Sequence, residues 1–102
     1  LSFTYIINDI PYLLKKVDKS TCFVNLNTQK PEYRLHSDMK FRYMKNDIVV
    51  ITRMRHRFFF IKKASEYIEA YRISDLHHPV LSTKAVYNSC AESGDDLIIF
   101  TN

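Results

Sequence analysis

The hydrophobic and polar positions along the chain read mostly as strand. Ile48-Val49-Val50-Ile51-Thr52 is a β-branched run opened by Asn46-Asp47, a turn signal. Leu97-Ile98-Ile99-Phe100-Thr101 is another, opened by Gly94-Asp95-Asp96. Phe23-Val24-Asn25-Leu26 and Tyr67 to Ile73 alternate with a period of two. In the second of these, Tyr67, Glu69, Tyr71 and Ile73 fall on one face, and Ile68, Ala70 and Arg72 on the other. Glu and Ala make helix the competing assignment for 64–72. Strand is expected, because its flanks and an internal repeat favour it.

Pro11-Tyr12-Leu13-Leu14-Lys15-Lys16 matches Phe58-Phe59-Phe60-Ile61-Lys62-Lys63 at an offset of 47 residues. The same offset sets Val24 on Tyr71 and Leu26 on Ile73. Separately, Asn46 to Thr52 matches Asp95 to Thr101 at an offset of 49, and Phe3-Thr4-Tyr5-Ile6-Ile7-Asn8 plays the same part near the start. One unit is then a turn, an apolar strand, a basic loop, an aromatic strand, an amphipathic strand and a Pro-containing turn. A β-unit of 40 to 50 residues has the size of one four-stranded propeller blade, which must stack on neighbours to bury both faces. The expected fold is all-β: about two four-stranded antiparallel blades of a β-propeller, part of a larger ring. Repeat 1 is expected over about 1–45, repeat 2 over about 46–93, and the start of a third over about 94–102.

Composition narrows the chemistry. The 102 residues hold a single glycine, Gly94, so no glycine-rich phosphate loop exists and turns must be made by Asn, Asp, Ser and Lys. The longest wholly apolar runs are about four residues, far short of the ~20 a membrane-spanning helix needs. The chain opens on Leu1 with no signal-like segment, and is expected to be a piece of something longer. Net charge is +4, concentrated between Lys40 and Lys63, where eight basic residues face only Asp47. Cys22 and Cys90 suggest neither a disulfide framework nor a zinc site, which points to a reducing, cytoplasmic or nuclear setting.

The succession of strands resembles a degenerate kelch repeat. Ile48 to Thr52 stands where the kelch strand before the paired glycines would be, and Ile68-Glu69-Ala70-Tyr71 is similar to its Val-Glu-x-Tyr strand. Tyr33, Met39 and Arg42 follow a spacing similar to the kelch aromatic, Met and Arg. The glycine pair itself is replaced by Thr52-Arg53 and by Thr101-Asn102. The resemblance implies a non-enzymatic protein-interaction module. In kelch-like propellers such a module commonly serves as the substrate receptor of a cullin-3 ubiquitin ligase, joined to a BTB domain. These 102 residues contain no BTB segment, so the ligase link is an analogy.

Arg53-Met54-Arg55-His56-Arg57 is the sharpest local feature. If extended, it points three guanidiniums one way, suited to a carboxylate or a phosphorylated side chain. The bland reading is a strand edge kept soluble by charge. The resemblance places this loop on the partner-binding face, so Arg53, Arg55, His56 and Arg57 are expected to be exposed and to contact an acidic or phosphorylated segment. Asn8, Asp9 and Ile10 are expected to be the equivalent loop of the first unit.

Phe58-Phe59-Phe60 is expected to be core rather than a base-stacking platform. No cofactor, metal or catalytic constellation is expected: His77-His78 lacks a third ligand, and Glu66 and Glu69 would not share a strand face. The alternative reading is a small basic β-barrel that binds single-stranded nucleic acid. There Lys40, Arg42, Lys45 and the arginines would track phosphates, while Tyr43 or Phe58 would stack bases.

Overall fold

A computed structural model describes residues 4–56 and 64–102. Its strands are β1 (Thr4–Ile7), β2 (Ile10–Val17), β3 (Ser20–Asn25), β4 (Lys30–Arg34), β5 (Lys40–Lys45), β6 (Ile48–His56), β7 (Ala64–Arg72), β8 (Leu81–Lys84), β9 (Tyr87–Ser93) and β10 (Asp96–Thr101). The fold is all-β. Two four-stranded antiparallel meanders run in chain order, β1-β2-β3-β4 and β5-β6-β7-β8, and β9 and β10 form a two-stranded sheet. These described strands form open sheets rather than the closed barrel of the alternative reading. The segment 64–72 is a strand, as its period-two alternation requires. Residues 1–39 form one compact unit and residues 40–102 a second.

Apart from Gly94 in the β9–β10 turn (φ 59°), the left-handed turn positions are filled by Asn, Asp, Lys and Gln. Asn8 and Asp9 (φ 51° and 64°) join β1 to β2, and Asp18 and Lys19 (φ 50° and 70°) join β2 to β3. Paired left-handed residues are what a two-residue hairpin loop needs to match the twist of its strands. Gln29 (φ 63°) and Asn46 (φ 55°) are left-handed too. In the β3–β4 turn, Asn25 Oδ1 accepts from the backbone N–H of Asn27 (2.8 Å) and of Thr28 (3.2 Å), a local replacement for a backbone turn.

The hairpin registers fix which residues correspond between sheets. Ile7 pairs with Ile10, Lys45 with Ile48, and Ser93 with Asp96. Asn8-Asp9, Asn46-Asp47 and Gly94-Asp95 therefore hold one structural position, at spacings of 38 and 48 residues. Pro11 to Lys16 lie in β2, the counterpart of β6 by this register, whereas 58–63, expected as their match, lie outside the described residues. The match at 49 is one residue too long: Leu97 and Ile99 correspond to Val49 and Ile51. Sequence similarity misled because these β-branched runs resemble one another in any nearby register, while hydrogen bonding allows one.

In the unit spanning 4–39, the buried side chains are Ile7, Tyr12, Cys22, Phe23, Leu35 and Met39, together with the polar Asn25. Tyr5 meets Phe23 edge to face at 5.8 Å between ring centroids. In the unit spanning 40–102, Val49, Val50, Ile51 and Thr52 are buried in succession. An apolar run such as Val49-Val50-Ile51 is what a strand buried on both faces requires. Val50, Ile68 and Ala70 form the core of one face of β5–β8, and Tyr87, Cys90, Leu97 and Ile99 of β9–β10 pack onto it. Each fully buried Val or Ile contributes about 1.5–3 kcal/mol. Ile98 and Phe100, pointing the other way from β10, are 41% and 49% exposed.

Candidate functional site

The β6–β7 register sets Arg53 opposite Tyr67, Ile51 opposite Glu69, and Val49 opposite Tyr71. The β7–β8 register adds Ser82 opposite Glu69 and Lys84 opposite Tyr67. Strand alternation then brings Arg53, Arg55, Tyr67, Glu69, Tyr71, Ser82 and Lys84 to the same face of the sheet.

Glu69 is the centre of this cluster, at 1% exposure. Its Oε1 lies 2.8 Å from Arg53 Nε and accepts a 2.8 Å hydrogen bond from the Tyr71 hydroxyl. Its Oε2 accepts from Arg55 Nη2 at 3.1 Å and from Ser82 Oγ at 2.9 Å. Arg53 Nη2 also donates to the Tyr71 hydroxyl oxygen at 3.1 Å. A carboxylate this deep is tolerated because each oxygen meets one guanidinium and one hydroxyl. Burial, and then the hydrogen bond to Glu69, push the Tyr71 phenol up to about 12.

The two arginines are not alike. Arg53 was expected to be exposed, but its side chain is only 13% exposed, whereas that of Arg55 is 50% exposed. Arg53 projects over the buried middle of β7, and Arg55 lies one step nearer the strand end. The Arg55 guanidinium carbon also sits 5.8 Å from the Tyr67 ring centroid, within cation–π range. His56 ends β6 opposite Ala64, and Arg57 and Phe58 to Phe60 lie outside the described residues. Asn8, Asp9 and Ile10 are not the counterpart of the arginine segment. They match Asn46-Asp47-Ile48, at the opposite end of the strand, while Lys15 is the position equivalent to Arg53.

Of the other basic residues expected to reach phosphates, Lys45 and Arg42 are engaged within the fold, while Lys40 is exposed. Lys45 Nζ donates to the carbonyls of Gly94 (2.5 Å) and Asp96 (3.3 Å) and lies 3.5 Å from Glu92. Arg42 Nε donates to Thr52 Oγ1 at 3.0 Å, and its guanidinium carbon stands 5.0 Å from the Tyr87 ring centroid. The Tyr43 hydroxyl donates to Glu92 Oε2 at 2.5 Å. That bond and the Lys45 ammonium hold the Glu92 carboxyl below its ordinary range.

His78 Nδ1 lies 3.1 Å from Asp75 Oδ2, and the His77 backbone N–H donates to Asp75 Oδ1. Among the described residues, no three His, Cys, Asp or Glu side chains gather as a metal would require. Both thiols are free of disulfide, Cys22 buried and Cys90 half-buried. No helix among the described residues is long and apolar enough to cross a membrane.

Glu69 is the residue the sequence reading missed. The signal was present: an acid inside an apolar strand, two residues from a tyrosine, one hairpin away from an arginine pair. A second buried polar group was also missed, in the unit spanning 4–39. There Tyr12 donates to Glu32 Oε1 at 2.9 Å and Asn25 Nδ2 donates to Glu32 Oε2. Burial and the bond to Glu32 raise the Tyr12 phenol above its ordinary value.

No protein-family model, curated protein or solved structure matches the chain.

Proposed function

We propose that the chain is part of a kelch-like β-propeller and acts as a protein–protein interaction module rather than an enzyme. The observation that carries this reading is stacking: the hairpin β9–β10 lays Leu97 and Ile99 onto the Val50–Ile68–Ala70 face of β5–β8. That sheet is preceded by a meander of the same strand order. Repeated four-stranded meanders packed face to face are how a propeller buries its core. The kelch likeness also draws support from Ile68-Glu69-Ala70-Tyr71, whose apolar residues face the neighbouring hairpin and whose Glu and Tyr share the polar cluster.

The partner of this module is a protein segment with acidic or phosphorylated side chains, and among the described residues Arg55 and Lys84 are the exposed cations on the cluster's face. In its more specific form, the module is the substrate receptor of a cullin-3 ubiquitin ligase, a role that rests on the kelch resemblance. A peptide partner is favoured over nucleic acid because Arg42 and Lys45 are already bound inside the fold.

Affinity capture from nuclease-treated lysate, comparing the native chain with Arg55→Glu, tests the reading. A protein retained by the first and lost with the second is expected. Identical captured sets, or capture that vanishes with nuclease, would overturn it. Probing the captured set for cullin-3 tests the ligase link separately.

A further inference from the structure

Two guanidiniums, those of Arg53 and Arg55, meet one carboxylate at Glu69. The two are not held alike. Arg53 is largely buried and bonded to both Glu69 and Tyr71. Arg55 spends only Nη2 on Glu69 among the described residues, and half its side chain stays in solvent. Glu69 on one side and the Tyr67 ring on the other hold its guanidinium in place. Lys84, exposed and in register with Tyr67 and Arg53, lies on the same face two strands from β6, about 10 Å at ordinary sheet spacing and two residues along from Arg55.

We infer that Arg55 is the contact residue for an anionic side chain of the partner, that Glu69 and Tyr67 position its guanidinium, and that Arg53 serves the fold. This rests on the interaction-module reading above. An arginine ordered before binding loses less rotamer freedom on contact, and its planar fork offers a carboxylate or phosphate paired donors. The buried carboxylate thus acts as the support of an anion receptor, turning a flexible surface cation into a fixed one. Lys84 adds charge at a second point without that fixed geometry.

The test measures fluorescence anisotropy of labelled peptides with the purified chain at low ionic strength. The probes are a glutamate-rich peptide, its phosphoserine version and a glutamine-for-glutamate control. The native chain is expected to bind both anionic peptides and not the control, and the stronger of the two identifies the charge source. Arg55→Gln should weaken binding by about tenfold or more, a typical loss for a charge-assisted bond. Arg55→Lys should recover only part of it, and Lys84→Gln should cost less. Arg53→Gln should lower the melting temperature.

The positioning role is read from ¹⁵N relaxation of the Arg55 side-chain Nε. It should be rigid in the native chain and mobile in Glu69→Gln, with Glu69→Asp recovering part of the order. If Glu69→Gln does not fold, Tyr67→Leu serves the same purpose. Equal binding by Arg55→Gln would overturn the inference while leaving the module reading intact. Failure of the folded native chain to bind either anionic peptide would also overturn it, and the lysate capture above then judges the module reading alone. A mobile Arg55 Nε in the native chain would overturn the positioning role.

Discussion

Lys45 reaches out of β5 and donates through Nζ to the carbonyl oxygen of Gly94, 2.5 Å away in the turn of the β9–β10 hairpin. The bond ties the turn of one hairpin to the strand of the sheet it stacks on. The Lys45 side chain is only 12% exposed, so the charge is bound in a partly dry setting. Lys45→Ala should therefore cost about 1.5–3 kcal/mol, the range for hydrogen bonds to charged groups. The loss should fall on the hairpin: amide exchange at Ile98 and Phe100 should quicken more than at Val50. Uniform quickening across the unit would reject a local tie.

Ile68 and Phe100 give opposite expectations. Ile68 is fully buried between β6 and β8, under the hairpin. Ile68→Ala should destabilise by about 2–5 kcal/mol. Phe100 is half exposed, and Phe100→Ser should change stability by about 0.5 kcal/mol or less. Urea midpoints measure both. A large loss at Phe100 would mean that its outward face is covered.

High pH should undo the polar cluster. The neutral Tyr71 phenol is buried and donates to Glu69, so its value rises from 10.0 to about 12 in the fold. A raised value means that folding favours the protonated form. The contribution is whole below pH 10 and is lost as pH climbs from 10 towards 12. Tyr87 behaves alike: burial and then a bond with Cys90 push it up to about 12. Ultraviolet titration of the phenols should show a late group that ionises together with unfolding. Tyr71→Phe should shrink it. Ionisation of all seven tyrosines near pH 10 without unfolding would contradict the buried cluster.

Acid should act at a different place. The Glu92 carboxyl is held low by the Tyr43 hydroxyl first and by Lys45 second. A lowered value means a contribution present above the ordinary carboxyl range and lost as pH falls through the lower folded value. A ¹³C titration of the Glu92 carboxyl should return towards the ordinary value in Tyr43→Phe. No movement would assign the shift to something other than the hydroxyl.

The glycine-poor turns carry strain that glycine would relieve. Lys19 sits at φ 70° and Gln29 at φ 63°, where a Cβ is crowded. Lys19→Gly and Gln29→Gly should each stabilise by up to about 1 kcal/mol, less the extra freedom glycine gives the unfolded chain. Thermal melts decide. Asn8 and Asn46 tolerate the left-handed region better, so the same change there should gain less.

The strands at Ile48, Tyr67 and Leu97 were legible because period-two alternation and β-branched runs are local properties. So was the use of Asn, Asp and Lys in turns. The residue-by-residue matches between strands were not, since chemically similar strands match in several registers and hairpin hydrogen bonds select one. The difference between Arg53 and Arg55 was not legible either, because it depends on how deep the facing strand lies beneath each.

By itself, then, the sequence determined that the chain is built of strands, where most of them lie, and that all turns but the one at Gly94 are made without glycine. These follow from short-range sterics and from the alternation of side chains across a pleated strand. Only the tertiary structure decided that Glu69 gathers two arginines, a tyrosine and a serine, that Lys45 holds the turn of the next hairpin, and that Asn8-Asp9 matches Asn46-Asp47. Those are relations between residues far apart in the chain. Strand register and packing fix them, and no local pattern encodes either one.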